Sequence, residues 1–266
     1  GLAEGEVVVR FDPANAEPLV MGMVGSSSRG ASMRDFIIKP EIGAPGGSIS
    51  AVSGSGTGVE PFSGTSGAAP MVSGAAALVK DAYPSRGPLE IKAVLVNTAE
   101  TQIMNKAALL GGGLAPISRI GGGEVRVDRA VLATAAAWDS RTLQPALSLG
   151  FNDWSRTNIL RRPGVTVRNY SNVGKTYKID VSYRFADDEA RNALTISAPK
   201  QVFVSANGVG SFGINFVVRT ENLEDWNEAG PNSGAQGANA DLLTEYEYDG
   251  YVTLTNVNDA TDTIHL

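Results

Sequence analysis

The apolar positions in residues 1–138 follow two spacings, one helical and one typical of strands. The helical spacing predicts three helices: Gly67–Lys80, Pro88–Thr98 and the shorter Asp128–Ala137. The first is rich in small residues and apolar nearly all round, so we expect it to be buried and closely packed. Short apolar runs predict two strands, Glu6–Phe11 and a buried Leu19–Val24. Ser85 is a candidate cap for the second helix, and Pro88 suits its first turn.

Residues 146–266 have a different pattern, with alternating, β-branched and aromatic segments between turn residues. They predict strands at Thr166–Asn169, Tyr177–Phe185, Leu194–Ser197, Val202–Ser205, Phe212–Arg219 and Tyr251–Val257. The polar stretch Glu221–Thr244 is predicted as a long surface loop. We therefore expect an α/β domain over residues 1–138, a linker over 139–145, and an all-β sandwich over 146–266.

Composition narrows the range of functions. The net charge is −6, which disfavours nucleic acid or an anionic membrane as the main partner. There is no Cys and a single His, His265, so thiol catalysis, Cys-ligated zinc and a His-rich metal site are excluded. No apolar run approaches the roughly 20 residues that would span a bilayer.

The sharpest candidate for chemistry is the segment GTSGAAPMVSG, Gly64–Gly74, which includes Ser66. Ser66 stands where a glycine-flanked turn enters a helix, and the first N–H groups of a helix lack internal partners and favour negative charge. A hydroxyl placed there can attack a carbonyl, and the resulting oxyanion would find oriented donors. Ser is also a favoured N-cap, so the same pattern is compatible with a purely structural serine.

This segment resembles the serine-nucleophile motif of the subtilases, the subtilisin-like serine proteases. Gly67 stands where Met is usual in that motif, and Met71 where a non-catalytic His is common. Three more segments resemble motifs of the family in the same order: Gly25–Gly30, with Ala31 in place of a Pro, Lys39–Gly46, and Ile91–Ala99. Their arrangement is similar to subtilases that carry a protease-associated insertion. Val165–Val181 and Leu194–Phe216 resemble the fibronectin type III-like domain that follows the catalytic domain in such proteases.

The resemblance implies a secreted, extracellular or cell-surface serine endopeptidase that acts on protein or peptide substrates. It also implies that residues 1–138 are the C-terminal part of a subtilisin-like α/β catalytic domain with a parallel sheet. Ser66 would be the nucleophile, in a turn formed by Gly64, Thr65 and Gly67, and the chemistry would need no cofactor. The family's catalytic Asp and His precede the Ser, and neither motif is present; His265 follows Ser66 and is not expected to be the base, nor is Asn15 expected to be the oxyanion donor. We therefore expect a C-terminal fragment of the enzyme, inactive alone, whose partner is the missing N-terminal part of the catalytic domain. The alternative is a non-catalytic relative that uses its β-sandwich for extracellular adhesion or scaffolding.

The remaining features are expected to be structural. Asp187-Asp188-Glu189 is expected to be a solvated acidic turn, although structural calcium is a possible role that cannot be assigned to particular residues. Asn169-Tyr170-Ser171 fits a glycosylation acceptor, a triplet that often arises by chance. The triplets Gly111–Gly113 and Gly121–Gly123 are expected to be flexible turns near the surface, and Trp154 and Trp226 to be anchors in a core or loop.

Overall fold

The computed structural model describes residues 20–150, 159–223 and 247–266. We use the name helical half for residues 1–138 and β-rich half for residues 146–266. Glu6–Phe11, Asn15, Trp154, Trp226 and most of Glu221–Thr244 lie outside the described residues; the start of that last stretch falls in a 3-10 turn, Thr220–Asn222.

The described helical half contains one antiparallel hairpin and four helices. The hairpin pairs β1 (Ser48–Ala51) with β2 (Val59–Phe62). The helices are α1 (Thr65–Ala82), α2 (Pro88–Asn97), α3 (Ile117–Ile120) and α4 (Val127–Leu132), with a 3-10 turn at Ala108–Leu110. The described residues do not form the parallel sheet that the resemblance implies. Parallel pairing there is limited to two isolated bridges, Gly22 with Met104 and Gly43 with Glu124, and every sheet is antiparallel.

Helix α1 confirms the helix predicted over Gly67–Lys80, but the expectation that it is buried all round is wrong. Only Gly67, Ala75 and Val79 are buried, and Leu78 is 57% exposed. Helices α2 and α4 pack against one face of α1 and leave the opposite face uncovered in the described structure. Its small apolar side chains therefore predicted the helix correctly, but they pack closely on one face of it only.

Helix α2 confirms the second predicted helix, with Pro88 at its first turn. Ser85 is not its cap. The N-cap residue is Gly87, whose N–H donates to the Glu90 carboxylate at 2.9 Å. Glu90 thus satisfies a main-chain donor from within the first turn, where its negative charge also suits the helix dipole.

Two further predictions for the helical half need correction. Residues 20–24 form a turn and a single bridge rather than a buried strand, and Val20 is 67% exposed. The predicted helix Asp128–Ala137 is shorter than expected: α4 ends at Leu132, and Ala135–Asp139 is a strand, β3. The run of alanines at 135–137 favours a helix by propensity, but pairing with a neighbouring strand decides its conformation.

The β-rich half contains nine strands in the described residues. They are β4 (Ile159–Arg161), β5 (Gly164–Asn169), β6 (Lys175–Tyr183), β7 (Leu194–Ser197), β8 (Gln201–Val204), β9 (Val209–Gly213), β10 (Asn215–Val218), β11 (Gly250–Asn256) and β12 (Asp259–His265). All six predicted strands are found, and the segment Phe212–Arg219 divides into β9 and β10. Helix α5 (Ala186–Arg191) was not predicted.

Three antiparallel sheets share one core in this half. Their strand orders are β4-β10-β7, β12-β11-β6-β8 and β3-β5-β9. The core includes Val165, Tyr177, Ile214 and Leu254, all of which are fully buried. Strand β3 belongs to the helical half by sequence but pairs along β5, from Ala135 with Asn169 to Asp139 with Val165. The two halves therefore share a sheet.

The burial of Asn169 and of Gly121–Gly123 bears on two further predictions. Asn169 is fully buried, and its side-chain N–H₂ donates to the carbonyls of Val173, Val204 and Ser205, so the folded chain offers no accessible amide for glycosylation. The triplet Gly121–Gly123 is buried rather than at the surface. A Cβ on Gly122 would lie 2.6 Å from Val96 Cγ1, so the segment passes too close to α2 for a side chain.

Candidate functional site

The turn that precedes α1 sets the position of Ser66. Gly64 is the N-cap residue of α1 and has φ of 90°, a conformation that favours glycine. Its carbonyl accepts the N–H groups of Gly67 at 2.9 Å and Ala68 at 3.2 Å. Thr65 and Ser66 are therefore the first two residues of α1, where main-chain N–H groups point away from the helix.

Ser66 is exposed, and it does not cap the helix. The cap position belongs to Gly64, and α1 has no side-chain cap hydrogen bond. No protein hydrogen bond to the Ser66 hydroxyl is found among residues 20–150, 159–223 and 247–266. By contrast Ser73, on the same helix, donates its hydroxyl to the Ala69 carbonyl at 3.1 Å. Ser66 is therefore not the N-cap residue of α1, which is the structural role that the sequence left open.

Gly67 lies against Gly46, at the end of the Lys39–Gly46 segment. A Cβ on Gly67 would lie 2.8 Å from the Gly46 carbonyl oxygen and 3.6 Å from Phe62 Cδ1. A Cβ on Gly46 would lie 3.2 Å from the Gly64 carbonyl oxygen. This close approach is a physical reason for glycine at position 67, and it identifies Gly46 as a residue that shapes the turn. The Pro45-Gly46 pair is the sequence signal for it.

Three of the segments that resemble subtilase motifs contact the fourth, Lys39–Gly46: Gly67 lies against Gly46, and Gly30 lies against the main chain of Lys39. Lys92 of α2 donates to the Glu41 carboxylate at 2.7 Å, which joins the Lys39–Gly46 segment to α2. The Gly30 N–H donates to the Ser118 carbonyl at 2.8 Å, and Arg29 forms an ion pair with Glu247 at 3.1 Å. The segments that follow one another in the sequence are therefore also packed close together in the fold.

His265 lies away from Ser66 in the contacts of the described residues. Its Nε2 is 3.1 Å from the Gly122 carbonyl oxygen, and its ring meets the Tyr251 ring edge-on at 5.5 Å. Burial lowers the pKa of His265, and the hydrogen bond to Gly122 opposes this shift. The side chain therefore packs between the helical half and the β-rich half.

The acidic segment of α5 differs from the solvated turn that the sequence suggested. Asp188 is 1% exposed and lies inside a helix. Burial is the main cause, and the nearby carboxylate of Asp249 a lesser one, of a pKa for Asp188 that is raised to about 7. The described residues contain no group of three or more His, Cys, Asp or Glu side chains that could hold a metal ion.

Comparison with known proteins finds similarity to proteases. Residues 21–125, which include Ser66 and its turn, match the model of the subtilase family. The chain is 27% identical over 225 residues to the minor extracellular protease Vpr of Bacillus subtilis, covering 83% of this chain and 26% of Vpr. It is 42% identical over 83 residues to the subtilisin-like protease SBT3.16 of Arabidopsis thaliana, covering 31% of this chain and 11% of that protein.

A third relative is the CO(2)-response secreted protease of Arabidopsis thaliana, at 38% identity over 115 residues, covering 39% of this chain and 14% of that protein. The chain is thus similar to the subtilase family and to subtilisin-like proteases. The chain spans about a quarter of the length of Vpr and less of the two plant proteases.

Comparison with solved structures finds a FixG-related protein from Vibrio parahaemolyticus. The match covers 50% of this chain and 88% of that protein's chain, with a TM-score of 0.29 and 12% sequence identity. A similarity this weak supports no argument. Within the described residues, no helix has the length and apolar character needed to cross a membrane.

Proposed function

We propose that this chain is the nucleophile-bearing part of a subtilisin-like serine endopeptidase, with Ser66 as the nucleophile. The observation that carries the proposal is the exposed Ser66 hydroxyl at the second position of α1, free of any capping role, inside the segment that matches the subtilase family. Gly64 supplies the positive φ before α1, and Gly67 allows the Pro45-Gly46 segment to approach.

In this proposal the Ser66 Oγ attacks the carbonyl carbon of the scissile peptide bond, and the bond to the leaving amine breaks to give an acyl-enzyme. Water then hydrolyses the ester and releases the acid. The main-chain N–H of Ser66, at the start of α1, is placed to donate to the oxyanion, and the helix dipole favours the same charge. No cofactor takes part in these steps.

The remaining catalytic groups would come from outside this chain. A serine hydroxyl needs a general base, and the only His, His265, is occupied at Gly122 and Tyr251. The catalytic Asp and His and the second oxyanion donor would belong to an N-terminal part of the catalytic domain. We propose that this part is the chain's partner and that the 266-residue chain alone is inactive.

The β-rich half is proposed to be a fibronectin type III-like sandwich that supports the catalytic part. Its support comes from the common core of three sheets and from β3, which ties the sheet to α4. An extracellular or secreted location and protein or peptide substrates are proposed from the relatives, whose names describe an extracellular and a secreted protease.

The test is labelling of the full-length protein with a fluorophosphonate probe, which reacts only with an activated serine. We expect labelling in the wild type and in Ser73→Ala, and none in Ser66→Ala. Ser73 is the matched control because it is exposed on the same helix and its hydroxyl is already bonded to Ala69.

Two results would overturn parts of this proposal. A folded full-length protein that does not react with the probe would favour the alternative, a non-catalytic relative with an adhesion or scaffolding role. Peptide hydrolysis by the purified 266-residue chain, lost in Ser66→Ala, would show that the chain contains its own base.

A further inference from the structure

The hairpin of β1 and β2, which precedes the turn at Ser66, has its apolar side chains on its exposed face. Ile49 lies opposite Pro61 and Ala51 lies opposite Val59, so these four side chains share one face of the two strands. All four residues are exposed, Ile49 to 72% and Val59 to 65%. We use the name outer hairpin face for these four residues.

The alternation of side chains along β1 is the reverse of the usual one. Ser48 and Ser50 are half-buried, whereas the apolar residues that alternate with them are exposed. A strand that packs on a protein core normally turns its apolar side chains inward and its polar side chains toward water. A two-stranded hairpin is also only marginally stable without further packing. The alternation therefore indicates a hairpin whose apolar face is meant to be covered.

The exposed surface that continues from the hairpin into α1 carries almost no charge. Between Ser48 and Val79 the single charged residue is Glu60, although charged residues make up 19% of the chain. The exposed positions of α1 between Thr65 and Leu78 include no charged side chain, and α2 and α4 pack on the opposite face. Charged residues are normally concentrated at exposed positions, and a large apolar patch marks a contact site. This composition is therefore that of an interface.

We propose that the outer hairpin face and the exposed face of α1 form the docking surface for the N-terminal part of the catalytic domain. The identity of this partner rests on the proposed function, in which the general base for Ser66 comes from that part. A base must come within hydrogen-bond reach of the Ser66 hydroxyl, and Ser66 lies on the exposed face of α1 itself. The protein that supplies the base must therefore contact the same face.

Two further observations favour this occupant. The hairpin contacts the first turn of α1, since a Cβ on Gly67 would lie 3.6 Å from Phe62 Cδ1, so a partner that covers the hairpin borders the nucleophile. The chain covers only 26% of Vpr, so most of that relative lies outside the region that this chain matches. The surface requires a partner that is itself apolar there, because an unpaired charge buried against it would be costly.

The test uses single cysteines, because the chain has no Cys of its own. Val59→Cys places a thiol on the outer hairpin face. Val257→Cys is the matched control, since Val257 is 53% exposed in the turn between β11 and β12. In the 266-residue chain we expect a thiol-reactive dye to label both variants at similar rates. In the full-length protein we expect labelling of Val59→Cys to slow by at least about tenfold while Val257→Cys keeps its rate, because thiol reactivity follows exposure.

Amide hydrogen exchange of the wild type is a second measurement that needs no substitution. We expect the main-chain N–H groups of residues 48–62 to exchange at least about tenfold more slowly in the full-length protein than in the 266-residue chain, because docking stabilises a marginal hairpin. The hairpin of β11 and β12 is the internal control, and its exchange should be similar in the two proteins.

Three results would overturn the proposal. The first is a labelling rate of Val59→Cys, or an exchange rate of residues 48–62, that is the same in the full-length protein and in the 266-residue chain. The second is protection of Val59→Cys in the 266-residue chain that grows with protein concentration, together with a dimer in sedimentation, which would assign the surface to a second copy. The third is protection in the full-length protein only when a peptide substrate is added, which would assign the surface to substrate.

None of these readouts requires a reactive Ser66. Protection of Val59→Cys in a full-length protein that does not react with the fluorophosphonate probe would support the docking surface and count against the proposed enzyme. Probe labelling of Ser66 together with an unprotected Val59→Cys would count against the docking surface alone. The failure of this inference is therefore distinguishable from the failure of the proposed function.

Discussion

The side-chain amide of Asn97, the last residue of α2, donates to the main-chain carbonyl of His265, 168 positions further along the chain, at 2.7 Å. The Asn97 Oδ1 accepts the Ala137 N–H at 2.7 Å. One fully buried side chain therefore joins α2 to β3 and to β12. Since Gly122 meets the His265 ring, the same strand end is held from two sides.

We expect Asn97→Ala to lower the free energy of unfolding by about 2–4 kcal/mol, because it leaves a buried N–H and a buried carbonyl without partners. Urea unfolding of the purified chain measures the change. Asn258→Ala is the control, since Asn258 is exposed in the turn between β11 and β12, and should stay within about 0.5 kcal/mol. Equal effects of the two substitutions would contradict this role for Asn97.

Two glycines of α1 should respond to alanine with opposite signs. Gly67→Ala brings a Cβ to within 2.8 Å of the Gly46 carbonyl oxygen, so the turn must shift, and we expect a loss of about 1–3 kcal/mol. Gly74 faces open space, and Gly74→Ala should raise stability by about 1 kcal/mol through helix propensity alone. Thermal or urea unfolding measures both, and a stabilising Gly67→Ala would mean that Gly46 does not constrain the turn.

Two lysines of β6 provide a matched test of burial. Lys175 forms an ion pair with Asp262 at 2.6 Å, with both side chains 11% exposed, and it also contacts Thr134. Lys178 pairs with Asp180 at 2.9 Å, but the two side chains are 65% and 51% exposed.

Lys175→Ala leaves the buried Asp262 charge without its cation, and we expect a loss of about 3–5 kcal/mol. Lys178→Ala should cost no more than about 1 kcal/mol, because water screens an exposed pair. A double variant, Lys175→Ala with Asp262→Ala, should recover part of the loss. If Lys178→Ala were as damaging as Lys175→Ala, burial would not be what distinguishes the two pairs.

The sequence predicted the elements whose pattern is local. Helix α2 and the strand β7 follow directly from periodicity and turn residues, and the start of α1 beside Gly64 follows from its glycine-flanked turn. The predictions failed where residues far along the chain determine the local conformation or burial. The alanines of β3 form a strand because β5 lies beside them, and Gly121–Gly123 is buried because α2 lies against it.

The sequence also could not predict which charged side chains are buried. Asp187 and Asp188 are adjacent and chemically identical, yet the Asp187 side chain is 60% exposed and Asp188 is 1% exposed. Only the packing of α5 in the fold distinguishes them. The structure of the turn could be anticipated in part, since glycine at position 64 suits an N-cap with a positive φ. The contact between Gly67 and Gly46 depends on how the Lys39–Gly46 segment packs.

The pairing of β3 with β5 has a practical consequence for anyone who wishes to produce the C-terminal half by itself. A recombinant piece that starts after Asp139 would lack the strand that covers one edge of β5, and exposed edges of this kind recruit other chains. A start just after Leu132, where α4 ends, keeps that strand and should yield the more soluble product.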